Sequence, residues 1–228
     1  MKSYLPLFLC LLLLFGRSAS AEDGAVDSDA KMNMKNFTSA VLFAQTNGAN
    51  RNPKWRRGEK ILGWRFLDKN HQSLGKIQDI ILNGENGEFE WVKVRPDRLN
   101  FVEEHGFDRV AHNIRMEGQV MFCDLDKKQI ESNSEIFENL PLNQENQISL
   151  EKLLDSSAVL KDGTIIGKII DSLSSDKATE VEFLVVMLDG ERETVSIPFE
   201  SVRILVKEGE LNVEISPEQL KIMQQFAK

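Results

Sequence analysis

In 228 residues, 36 acidic side chains outnumber 28 basic ones and leave a net charge of −8. Most of the surface therefore repels a phosphate backbone or an anionic lipid face, which argues against nucleic acid and against lipid binding. Past residue 15 no run is apolar enough to cross a bilayer.

The chain opens with Met1-Lys2-Ser3-Tyr4, an apolar run from Leu5 to Phe15, and Gly16-Arg17-Ser18-Ala19-Ser20-Ala21. A positive start, a short apolar core and a small-x-small site form the order of a secretory signal peptide. As a helix the core would reach about 16 Å, against roughly 30 Å of hydrocarbon. Cleavage is expected after Ala21, with an uncleaved N-terminal tether as the alternative. Cleavage removes Lys2 and Arg17 and no acid, so the mature charge becomes 26 − 36 = −10. It also removes Cys10 and leaves Cys123, in the apolar stretch Val120-Met121-Phe122-Cys123, without a partner in its own chain. A buried, unreactive thiol is the expectation there.

Residues 22–57 are polar and poorly periodic, and are expected to be mostly disordered, with Phe37 to Ala44 a helical turn or docking segment. Lys54-Trp55-Arg56-Arg57 is a basic cluster that four residues alone rarely turn into a membrane anchor.

Next comes an internal repeat. Gly75-Lys76-Ile77-Gln78-Asp79 recurs as Gly167-Lys168-Ile169-Ile170-Asp171, an offset of 92. Without gaps, nine of the 33 positions from Leu62 to Val94 are identical to their counterparts, where unrelated stretches would give roughly two. Each copy starts with a strand, Trp64 to Leu67 or Ser157 to Leu160, and turns at Asp68–Gln72 or at Lys161-Asp162-Gly163-Thr164. A second strand follows at Leu74 to Leu82 or Ile165 to Leu173, its glycine suited to a bulge or a close backbone approach. Third strands run Phe89 to Val94 and Val181 to Leu188, and the second copy continues at Glu193 to Ile197, Val202 to Val206 and Leu211 to Ile215. In the first copy, residues 95–118 read as an insertion where the second copy turns at Asp189-Gly190-Glu191. Ser216-Pro217-Glu218-Gln219 begins a closing helix through about Phe226 that should lie on the second unit through Leu220, Met223 and Phe226.

The expected fold is mainly β: a signal peptide (1–21), a polar linker (22–57), and two tandem small barrels with short helices at 58–140 and 149–228. The run Leu62-Gly63-Trp64 with Leu74-Gly75-Lys76-Ile77-Gln78-Asp79, its copy around Gly167–Asp171, and Ile197-Pro198-Phe199-Glu200-Ser201-Val202 resemble the PRC-barrel domain family. In the first copy Met121-Phe122-Cys123-Asp124 is taken as the counterpart of the Pro-Phe-Glu segment. The resemblance implies a non-enzymatic, protein-binding role and supplies no catalytic residues. The leader, in place of the membrane helix or ribosomal setting of familiar members, implies an exported bacterial protein of the periplasm, or a secreted one.

Gly75, Asp79, Gly167 and Asp171 are read as structural, because one structural solution used twice repeats its own residues. His105, Asp108 and His112 are the nearest approach to a metal set, but their spacing matches no standard zinc pattern and Gly106 weakens a helix that would align them. No metal and no cofactor is expected. Arg98, Phe101, Phe107, Arg109 and Arg115 mix aromatic and guanidinium groups as interface centres do. Residues 95–118, or the seam between the two units, are therefore expected to contact a protein partner in the envelope. Packing of Phe101 and Phe107 onto their own unit is the competing expectation, and a small-ligand or metal carrier using 95–118 is the alternative function. No Ser-His-Asp order, glycine-rich phosphate loop or Cys-x-x-Cys is present, so no enzyme is expected.

Overall fold

The computed structural model describes residues 32–47, 49, 52–97, 105–132, 146–175, 179–207 and 209–227. The leader at 1–21, Arg98, Phe101 and the side chain of His105 lie outside the described residues. In chain order the first half contains α1 (Met34–Thr46), β1 (Arg56–Arg57), α2 (Gly58–Ile61), β2 (Arg65–Leu67), β3 (Ser73–Asn83), β4 (Phe89–Pro96), β5 (His105–Asp108), β6 (Arg115–Glu117), β7 (Val120–Phe122) and α3 (Lys127–Ser132). The second half contains β8 (Gln147–Ser149), α4 (Leu150–Leu153), β9 (Ser157–Val159), β10 (Ile165–Ser174), β11 (Phe183–Leu188), β12 (Thr194–Pro198), β13 (Arg203–Lys207), β14 (Glu210–Glu214) and α5 (Pro217–Phe226). The protein is mainly β, and among the described residues no helix is long and apolar enough to cross a membrane.

Two seven-stranded sheets carry the repeat. One has the order β5-β4-β3-β2-β7-β6 and the other β12-β11-β10-β9-β14-β13, so each strand of one has a counterpart in the other. Among the described residues each sheet has one parallel pair, and it recurs, β2 with β7 and β9 with β14. Gly75 and Gly167 stand where the long central strand meets its neighbour. A Cβ on Gly75 would lie 2.2 Å from the Arg95 carbonyl oxygen, and one on Gly167 would lie 2.2 Å from that of Met187. No other residue fits so close a backbone approach.

The seventh strand of each sheet comes from the other half of the chain. β1, which precedes the first repeat, pairs with β10 through Arg56↔Ser174 and Arg57↔Leu173. β8, which precedes the second repeat, pairs with β3 through Ile81↔Ser149 and Leu82↔Ile148. The boundaries at 58 and 149 divide the repeat in sequence, whereas the sheets are completed across them.

Two expectations are corrected. Residues 95–118 are not a free insertion, because they supply β5 and β6, the counterparts of β12 and β13. In strand register the offset is 92 at Val94 and Val186, 90 at His105 and Val195, 88 at Arg115 and Arg203, and 92 again at Val120 and Asn212. Two residues are gained before β5, two more between β5 and β6, and all four are returned at the β6–β7 turn, so the two copies are of equal span. The same register makes Met121-Phe122 part of β7, the counterpart of β14, and not of Pro198-Phe199-Glu200.

In the polar segment before the repeats, the helical turn expected at Phe37 to Ala44 is part of the longer helix α1. Asn33 caps α1 by accepting from the Asn36 backbone N–H, and Phe37, Val41 and Ala44 fall on one helical face and are buried. That face packs on β12 and α5, and Gln45 donates to the Thr194 carbonyl at 3.0 Å. Three apolar side chains at helical spacing outweigh the polar composition around them. At the other end, α5 carries the expected capping box between Ser216 and Gln219, with Met223 fully buried and Leu220 and Phe226 packed against the core.

Candidate functional site

The seam between the repeats is organised by two carboxylates that the offset of 92 pairs. Asp171, buried, accepts from the Arg57 guanidinium, from the Glu59 backbone N–H at 3.1 Å and from its own neighbour Ser172 N at 2.8 Å. Asp79, also buried, accepts from the Ser149 hydroxyl at 2.6 Å, from Glu151 N at 2.9 Å and from Ile80 N at 2.8 Å. Each carboxylate thus holds the first residues of α2 or α4, the short helix that precedes the other repeat. The clasps are symmetric in backbone and different in charge: where one has Arg57, the other has Ser149. Burial raises the Asp79 carboxyl above the ordinary aspartate range, with the Glu151 carboxylate adding to the rise and the three hydrogen bonds opposing it. The Arg57 guanidinium, pulled down by burial and raised by Asp171 and Glu59, ends above its usual value.

An antiparallel contact on the local twofold joins the halves once more. Glu88 bridges Glu180, its own counterpart, with Phe89 N donating to Thr179 O at 2.8 Å and Val181 N to Gly87 O at 2.9 Å. A residue can face its own equivalent antiparallel only across a twofold relation, so the two repeats meet as the subunits of a symmetric dimer do.

Beside the Arg57–Asp171 clasp lies a groove of about 490 Å³, lined by Asn52, Pro53, Trp55, Arg56, Arg57, Lys60, Trp64 and Gln119. Its volume falls in the ~300–1,000 Å³ range of ligand sites. None of the described lining residues is acidic, in a chain where 36 of 228 are; Arg57 is paired with Asp171 and Glu59, and Arg56 and Lys60 bring two further positive charges to the groove. Two of the three tryptophans of the chain are in it. Trp55 is braced edge-on against Phe183, ring centroids 5.4 Å apart, and the Trp64 backbone is held by Ile77 N on its carbonyl at 2.8 Å. The groove can present flat apolar faces and positive charge together, at positions that the clasp has already ordered.

The residues singled out from the sequence fall elsewhere. Phe107 is buried and tilts against Phe66, centroids 4.7 Å apart. Arg109 donates through Nε to the Phe89 carbonyl at 2.5 Å, tying the turn after β5 to β4. Arg115 pairs with Asp124 at 2.9 Å and lies over the Phe122 ring. Asp108 accepts from Ala111 N at 2.6 Å, and His112 Nδ1 lies 2.9 Å from the Asp108 carbonyl oxygen. Among the described residues no group of three His, Cys, Asp or Glu is placed to hold a metal ion. Cys123 is buried, its thiol pushed up to about 11 by desolvation. Of the groove, sequence reasoning isolated Lys54–Arg57 as a basic cluster but missed Lys60, Trp64 and Gln119, which strand pairing brings to it.

No protein-family model matches the chain and no curated protein matches it. The functional reading accordingly rests on the seam itself.

Proposed function

We propose that the chain is a non-enzymatic binding protein of the bacterial periplasm, exported by a leader ending at Ala21, whose two PRC-barrel-like units act as one adaptor that contacts a partner protein at their seam. On this reading each seven-stranded sheet curls into a small barrel, as short strands in this order do elsewhere. The observation that carries the proposal is the groove of Trp55, Arg56, Lys60 and Trp64 beside the clasp. Tryptophan and arginine are the residues on which interfaces most often concentrate their energy, and a preformed concavity is where ligands most often seat.

A photo-activatable phenylalanine analogue at Gln119, on the groove, and another at Val110, exposed in the turn after β5, test the reading in living cells. A discrete protein adduct from position 119 and none from 110 is the expected result. Adducts from 110 alone would move the contact to residues 95–118, and silence at both would end the proposal.

A further inference from the structure

The local twofold separates what the clasp needs from what the groove adds. Around Asp79 the positions matching Trp55, Arg56, Arg57, Lys60 and Trp64 hold Gln147, Ile148, Ser149, Lys152 and Ser156. That clasp closes with the same backbone donors and the same pairing of an arm, the short strand β1 or β8 that precedes each repeat, with the opposite sheet. Trp55, Arg56 and Trp64 are therefore not required to join the halves. Gln119 stands likewise where the register puts Leu211. Both sides keep a lysine, Lys60 or Lys152, but only one side of the twofold scaffold adds two tryptophans and two arginines to it.

Building on the partner reading above, we propose that this groove is the docking site for an acidic peptide segment of that partner, with its carboxylates beside Arg56 and Lys60 and its apolar side chains on the Trp55 and Trp64 rings. Charge complementarity selects this occupant. The mature net charge of −10 opposes a polyanion such as an anionic membrane or a nucleic acid, whereas screening over about 8 Å lets the local cations govern a short segment lying inside the groove. Preorganisation favours it as well: Arg57 is tied to Asp171 and Trp55 is braced on Phe183, so little ordering remains at binding.

The test uses the full mature chain and a fluorescent peptide alternating glutamate with leucine and phenylalanine, read by anisotropy at two salt concentrations. Three other probes accompany it: the same peptide with glutamine for glutamate, phosphatidylglycerol vesicles, and inorganic phosphate. Expected are saturable, salt-sensitive binding of the acidic peptide and at least tenfold weaker binding of the glutamine form. Lys60→Glu should weaken the acidic peptide at least tenfold at unchanged melting temperature and Lys60→Arg should retain it, while Trp64→Ala, whose ring also packs against the core, should weaken it as much with a lower melting temperature. Lys60 is exposed on α2, so its charge reversal leaves the fold intact and carries the decision if Trp64→Ala unfolds. Equal binding of the two peptides, indifference to Lys60→Glu, or preference for vesicles or phosphate would overturn the proposal. Cross-linking from position 119 together with silent peptides would leave the partner reading standing and reject this occupant alone.

Discussion

The same isosteric change at two carboxylates related by the twofold should have opposite consequences. In Asp171→Asn the amide oxygen can still accept from Glu59 N and Ser172 N, which both meet Oδ1, but the amide nitrogen would face the Arg57 guanidinium. The variant loses an ion pair whose carboxylate is buried and whose guanidinium is 36% exposed. Breaking a fully buried pair costs about 3–5 kcal/mol, and since Arg57 keeps access to water and to Glu59, about 2–3 kcal/mol is expected here. For a chain of this size that is a fall in melting temperature of roughly 4–12 °C. In Asp79→Asn the oxygen keeps Ile80 N and Glu151 N, and the new amide can donate to the Ser149 hydroxyl, which turns to accept. No cation is stranded, so the cost should stay within about 1 kcal/mol. Urea unfolding of both variants at pH 7 measures the difference, and equal costs would refute the division into an ionic and a neutral clasp. The pH series adds a signed check. The Asp79 pKa is raised on folding, so its contribution is whole below the unfolded value and is lost as pH rises through the folded one. Wild type should therefore gain stability over Asp79→Asn as the pH falls from 7 toward 4.

Other perturbations discriminate among the residues of the first repeat. Phe107→Ala, at a buried ring against Phe66, should cost about 3–5 kcal/mol in urea unfolding, while Arg115→Ala, half exposed, should cost less than about 1 kcal/mol. Gly87→Ala should lower stability by about 1–3 kcal/mol, because φ is +77° and the new Cβ would lie 2.7 Å from the Val181 carbonyl oxygen at the contact between the repeats. Cys123, with a thiol near 11, should resist iodoacetamide at pH 8 in the native state and react at once in urea, as mass spectrometry would record.

The sheets were legible because Gly75, Asp79 and their copies mark strands whose alternation the core demands. The exchange of β1 and β8 was not. A strand edge presents the same backbone groups and the same period of two to either copy, so alternation cannot say which half supplies the seventh strand. One trace did exist: Glu59-Lys60 and Glu151-Lys152 continue the offset upstream of Leu62, into segments that looked like linker. β5 and β6 were hidden for another reason. His105-Gly106-Phe107-Asp108 commits one large apolar side chain to the core, where Val195 and Ile197 commit two, and so little burial leaves little pattern. The groove is assembled from residues 52–64, contiguous in the chain, and from Gln119, which the parallel pairing of β2 with β7 sets beside Trp64, a long-range contact that alternation does not announce.

Because each half completes its neighbour's sheet, neither half owns a finished hydrogen-bond ladder. A cut in the backbone between Ser132 and Asn146 would yield two fragments that remain interlocked under native conditions, travel as one particle through a sizing column, and separate only in denaturant. Damage to either half would in the same way surface in both, since loosening one arm opens the edge of the opposite sheet.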